Sequence, residues 1–135
     1  MELVFATHNE GKVHEIQNIV GDSIKILSLT DIGYFEEIPE TGSTFNENAF
    51  IKANTIYQIY KKPIFADDSG LEVRALNGRP GVYSARYAGV NLKNFEPHIV
   101  KLLNELNGVK DRKARFKSVI CLIINDKTYY FEGLI

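Results

Sequence analysis

The chain has 135 residues, 44% of them hydrophobic and 24% charged, with a formal net charge of -1. That is one domain by size with an ordinary globular composition, and no excess of Lys and Arg exists to release counterions from a nucleic acid. No apolar run approaches a bilayer's thickness, and Met1–Phe5 lacks a basic leader, so neither membrane nor secretion is expected and the cytoplasm is the expected location. The single Cys121 can form no internal disulfide.

Leu3-Val4-Phe5-Ala6 is a short apolar run of the kind that forms a buried strand. It enters the polar loop Thr7-His8-Asn9-Glu10-Gly11-Lys12. Val13, Ile16, Ile19 and Val20 then recur at helical spacing, with Gly21 as the stop. Ile24 to Leu29 predicts a second strand. Thr44-Phe45-Asn46-Glu47 has capping-box spacing, and the helix behind it sets Phe45, Ala49, Ala53, Ile56, Tyr57 and Tyr60 on one face.

Pro63 marks the end of that helix, and Ile64-Phe65-Ala66 predicts a buried strand running into Asp67-Asp68-Ser69-Gly70 as a turn. Leu71 to Leu76 predicts a further strand, and the Gly-rich stretch Asn77 to Asn91 a loop. Ile99, Val100, Leu102, Leu103 and Leu106 mark a third helix closed by Gly108. Ala114, Phe116, Ser118, Ile120, Leu122 and Ile124 share one side of a long strand. Asn125-Asp126-Lys127 turns it into a returning arm from Thr128 to Glu132. The expected architecture is α/β, a mixed central sheet with flanking helices in a single domain, 1–135. Phe131-Glu132-Gly133-Leu134-Ile135 stops inside a strand-like run, so the chain is expected to be incomplete at its C-terminus.

Three clusters could carry chemistry. A loop that leaves a buried strand and opens a helix presents free N–H groups and a partial positive charge. With Thr7, Asn9, Gly11 and Lys12 it suits phosphate oxygens, although a capped helix start with a surface lysine has the same pattern. Asp67-Asp68 places two like charges side by side at a strand end, which a divalent cation would relieve; a turn capped by one Asp is the alternative. The third cluster is Glu36, Glu37, Glu40, Glu47 and Lys52; such charge runs are most often solvated faces, but Glu40 is a further candidate metal carboxylate. Lys52 sits away from the Ala49–Ala53–Ile56 seam, where it could face a cleft. His8, His14 and His98 have no metal-ligand spacing, and His14 and His98 are expected on helix surfaces.

Taken in order, these segments are more specific than any one of them. Phe5 to Lys12, Glu40 to Phe45, Glu47-Asn48-Ala49, Lys52-Ala53, Ala66 to Leu71, Gly78 to Gly89, Ala114-Arg115-Phe116 and Phe131-Glu132-Gly133 together resemble the Ham1/inosine triphosphatase family, the XTP/dITP diphosphatases. The resemblance implies an elongated two-lobed α/β fold with a central cleft, a homodimer, and Mg²⁺ as cofactor. It implies hydrolysis of non-standard purine nucleoside triphosphates (ITP, dITP, XTP) to the monophosphate and pyrophosphate, by in-line attack of water on the α-phosphorus. Thr7, His8, Asn9, Glu10, Gly11 and Lys12 match the triphosphate loop, Lys52 a lysine facing the phosphates, and Ser69 a substrate contact. Glu40 matches a metal carboxylate, and Asp68 the residue credited with metal binding and activation of water. Asp67 matches a nearby acid of uncertain role. The family's later Phe-Gly-Tyr-Asp and Ser-His-Arg segments, which engage the purine, do not occur here. A nucleotide-binding module without turnover is therefore the alternative reading.

Overall fold

The protein is described by a computed structural model covering residues 1–89 and 94–135. Five strands form one sheet in the order β2-β1-β3-β4-β5, with β1 Glu2–Phe5, β2 Lys25–Leu27, β3 Ile64–Val73, β4 Ala114–Ile124 and β5 Lys127–Leu134. Three helices accompany it: α1 Glu10–Val20, α2 Phe45–Tyr60 and α3 Glu96–Glu105. β1 pairs in parallel with both β2 and β3, and a two-residue turn folds β5 back on β4, so the sheet is mixed. Among the described residues no helix is long and apolar enough to cross a membrane.

The chain falls into two compact units, Met1–Asp67 with Val119–Phe131, and Asp68–Ser118 with Glu132–Ile135. In the first, α1 closes over β1, β2 and β3. Phe5, Val13, Ile26 and Phe65 are buried together, with Ile16, Val20, Ile120 and Leu122 packed against them. The Phe5 and Phe65 rings stack at 4.3 Å. Val13 carries the contact, whereas Ile19, expected on the same seam, is 77% exposed. Six positions after Val13, Ile19 is turned about 120° from it around the helix, off the buried stripe.

Helix α2 begins where the capping pattern places it. The Thr44 hydroxyl accepts the Glu47 N–H at 3.0 Å. The reciprocal bond is displaced by one residue, because the Glu47 carboxylate takes the Ser43 N–H at 2.8 Å. Ala49 and Ala53 are fully buried, and such small residues let the helix backbone approach what it packs on.

Strand β3 is longer than expected and replaces a turn. Residues 64–73 run as one extended segment, straight through Asp67-Asp68-Ser69-Gly70. Val73 then enters a short 3-10 turn, Arg74–Leu76, where Leu71 to Leu76 was read as strand. β2 is shorter than expected, because at Ser28 the chain leaves the ladder for a local pair of bonds with Asp31. The Ser28 N–H reaches Asp31 Oδ2 at 2.8 Å, and the Asp31 N–H reaches Ser28 Oγ at 3.1 Å.

In β4 the fully buried side is Val119, Cys121 and Ile123, not the even-numbered face that the sequence pattern favours. Ile120 and Leu122 are themselves partly buried under the Phe5 cluster. With both faces covered, alternation no longer tells inside from outside. The hairpin turn has positive φ at both Asn125 (52°) and Asp126 (62°), the pattern of a type I′ turn. Tyr57 Oη and Asp126 Oδ1 are bonded at 2.7 Å, which ties α2 to that turn.

Burial pushes the Cys121 thiol up to about 11, with a bond to Tyr130 opposing the shift. The thiol thus keeps its proton in the folded state between about pH 9 and 11 while the unfolded chain loses it, and its contribution to stability falls as pH rises through that window. Alkylation of native protein at pH 8 should run roughly two orders of magnitude slower than that of an unfolded thiol. Mass-spectrometric labelling with iodoacetamide, with and without denaturant, checks this.

The second unit has its own small core of Val73, Leu76 and Leu106, with Leu71, Leu102 and Val109 against it. Residues 81–86 of the expected glycine-rich loop form a 3-10 helix, and Val90 and Asn91 lie outside the described residues. Leu106, which caps the end of α3, is buried, whereas Ile99, Val100 and Leu103 of the helix are exposed. His98, expected on the surface, is buried: its Nδ1 accepts the Ala88 N–H at 2.9 Å.

Candidate active site

The first loop is built by its own polar side chains. Thr7 Oγ1 accepts the Asn9 N–H at 3.1 Å, and Asn9 Oδ1 caps α1 by accepting the Lys12 N–H at 3.1 Å. Gly11 sits so close that a Cβ there would lie 3.2 Å from Asn9 Oδ1. Both bonds consume acceptors. Among the described residues the Thr7 hydroxyl proton and the Asn9 amide N–H groups are given to no partner, so the loop retains donors. Together with the first-turn N–H groups of α1 and the helix dipole, that is the polarity an anion requires. His8 is used differently, as its Nε2 donates to the Glu36 carbonyl at 2.7 Å and its ring lies beside Tyr34.

Within the first unit this loop borders a cavity of about 260 Å³. Thr7, His8, Lys12, Glu40, Lys52 and Asp67 all contribute to its wall. Lys12 comes from the first turn of α1, Lys52 from the second turn of α2, and Asp67 from β3. The ammonium of Lys52 lies 2.9 Å from Glu40 Oε1, and that of Lys12 lies 3.2 Å from Asp67 Oδ2. Lys52 is the more enclosed, at 15% exposure against 46% for Lys12. A larger hollow of about 650 Å³ follows α3 in the second unit. It brings together none of the phosphate-suited groups, so chemistry favours the smaller cavity.

The Glu40 segment is anchored from α2. Asn48, fully buried, accepts the Gly42 N–H on its Oδ1 at 2.7 Å. A side chain at Gly42 would meet Glu47 Cβ at 2.6 Å and Asn48 Oδ1 at 2.8 Å. The residue therefore has to be glycine for steric reasons. Neither Asn48 nor Gly42 stood out as a site residue in the sequence, although Asn48 is the polar member of an otherwise apolar helix face.

Asp67 and Asp68 do not crowd one another. Consecutive residues of an extended strand emerge on opposite faces, and here Asp67 takes the face of Phe65 and α1. The expectation of two like charges side by side is thus corrected for Asp67, which is paired with Lys12. Asp68 is 7% exposed and begins the second unit; its Oδ1 accepts the Ser69 N–H at 3.2 Å. The Ser69 hydroxyl is bonded to that of Ser118 at 2.9 Å.

Among the described residues no three His, Cys, Asp or Glu side chains converge as a metal cage. A hard cation of the Mg²⁺ type needs no such cage, because it is held by one or two carboxylates and completes its shell with phosphate oxygens and water. Oxygen donors in a cavity that also holds two lysines fit that requirement.

Lys12→Ala should weaken binding of a nucleoside triphosphate by about 1.5–3 kcal/mol, the range for a charge-assisted hydrogen bond, and leave the bare nucleoside unaffected. Calorimetric titration with both ligands checks it, and equal losses for the two would remove the loop from the site.

The Ham1 family profile matches residues 3–135. A dITP/XTP pyrophosphatase of Flavobacterium psychrophilum is 54% identical over 134 residues, which are 99% of this chain and 70% of that protein. Its counterpart in Flavobacterium johnsoniae is 52% identical, over 99% of this chain and 69% of the relative. The solved structure of the Staphylococcus aureus Ham1 protein superposes with a TM-score of 0.91 at 42% identity, covering all of this chain and 70% of that one. A profile match over nearly the whole chain, with relatives at this identity, leaves one conclusion: the chain belongs to the Ham1 family.

Proposed function

We propose that this chain is a nucleoside triphosphate pyrophosphatase that hydrolyses non-standard purine nucleotides (dITP, ITP and XTP) to the monophosphate and pyrophosphate. The carrying observation is the convergence of Lys12, Lys52, Glu40 and Asp67 with a donor-rich helix start on one cavity. The relatives' name, dITP/XTP pyrophosphatase, supports the substrate class.

In this reading Lys12, Lys52 and the donors of the Thr7–Lys12 loop hold the phosphates by preorganised electrostatics. Asp68 and Ser69 enter this reading through the family resemblance and not through the cavity, whose wall they do not form: Ser69 as a substrate contact, and Asp68 to orient the attacking water toward the α-phosphorus. A carboxylate beside a cation is a weak base, so orientation is the larger part of its role. Glu40, on the cavity wall, would hold Mg²⁺, whose chemistry is to neutralise the triphosphate and the leaving pyrophosphate; Asp68 is a metal carboxylate by the family resemblance alone. The family resemblance implies a homodimer, which light scattering would test, and we assign the protein to the cytoplasm.

The function is tested by incubating the protein with dITP, XTP and dATP in the presence of Mg²⁺ and identifying the products. Pyrophosphate with a monophosphate, released faster from dITP and XTP than from dATP, is the expected result. Orthophosphate as product, or tight binding without turnover, would overturn the reading.

A further inference from the structure

We propose that Asp67 is the positioning residue of Lys12, holding its ammonium in place to receive the substrate's phosphates. The inference deepens the functional reading and rests on it, since it assumes that Lys12 meets phosphate.

Both ends of Lys12 are held. Its N–H is capped by Asn9 Oδ1 at 3.1 Å, and its Nζ lies 3.2 Å from Asp67 Oδ2. Between these points runs a four-carbon stem that, left alone, samples many rotamers and would have to be ordered on binding. The side chain of Asp67 is 15% exposed and that of Lys12 46%, so the carboxylate is the fixed partner and the lysine the solvent-facing one. Asp67 is fixed because its strand is fixed. Phe65, two residues earlier on the same face, stacks on Phe5 inside the core that also holds Val13, the residue after Lys12.

The cavity's charges lead to the same assignment. Its wall carries two lysines against Glu37, Glu40 and Asp67, so the carboxylates outnumber the cations. A third carboxylate that served only as another negative charge would oppose a polyanion. Asp67 is better understood through the lysine it touches, as Glu40 holds Lys52 at 2.9 Å. A triphosphate can then bind on the outward side of the Lys12 ammonium, which has three donors and gives one to Asp67.

The test is a double-mutant cycle on the full chain, with KM and kcat measured for dITP and melting temperature recorded alongside. Asp67→Asn should raise KM about tenfold with kcat within about twofold, and in a Lys12→Ala background the same change should move KM less than about twofold. Asp67→Glu, which keeps the charge, should stay within about threefold of the unmodified protein. If the asparagine variant fails to fold, Asp67→Ser carries the same arm. Additive losses, or a KM that falls on substitution, would overturn the assignment. So would a lower kcat with a raised Mg²⁺ requirement that persists without Lys12, because Asp67 would then act on the metal. A Lys12→Ala variant with unchanged KM would sink the phosphate reading itself; a raised KM with additive Asp67 effects would sink only the positioning role.

Discussion

Asp68→Asn should lower the rate of pyrophosphate release by about 10²–10⁴, the usual contribution of a group that handles the nucleophile's proton. The amide is nearly isosteric with the carboxylate, and the Asp68 Oδ1 bond to the Ser69 N–H can be kept by the amide oxygen. Folding should therefore survive, and circular dichroism with a melting curve would confirm it. The loss should appear in kcat far more than in KM, because the phosphates retain Lys12 and Lys52. Stopped assays with dITP at saturating Mg²⁺ supply the measurement. Turnover within threefold of the unmodified protein would remove Asp68 from the chemistry and leave it a buried strand residue.

Gly42→Ala should destabilise the fold by about 1–3 kcal/mol, the cost of overpacking a filled site. The added Cβ would lie 2.6 Å from Glu47 Cβ and 2.8 Å from Asn48 Oδ1, and neither neighbour can swing away cheaply. Glu47 is held at the helix start by its bonds to Ser43, and Asn48 is fully buried while accepting the Gly42 N–H. Whatever moves also shifts the segment that carries Glu40, so activity should fall further than stability alone explains. Thermal unfolding and a dITP assay on the same preparation separate the two effects. An unchanged melting temperature would show that the Glu40 segment has slack.

The features that could be read before folding are those whose partners lie close by in the chain. The start of α2 at Thr44 and the turn at Asn125-Asp126 rest on hydrogen bonds or backbone preferences spanning a few residues and lie where the pattern puts them; the loop that opens at Thr7 is shorter than expected, because the Asn9 cap starts α1 at Glu10 and takes Glu10 to Lys12 into the helix. The mixed α/β class followed for the same reason, since periodicity is local. The order of motifs along the chain then carried the family.

Tertiary structure decided what depends on partners far away. Lys12 and Asp67 are 55 positions apart, and only the stacking of β3 beside β1 under α1 brings them to 3.2 Å. His98 was placed on the surface because an isolated histidine on a helix has no local partner, yet the Ala88 N–H ten residues before it makes burial affordable. The even face of β4 drew attention because its residues alternate, but side chains on both faces of the strand are covered and alternation loses its meaning there. Asp67-Asp68 is the sharpest case. Written in sequence, the two carboxylates form one acidic pair; in an extended strand their side chains part to opposite faces, giving one to Lys12 and leaving the other buried beside Ser69.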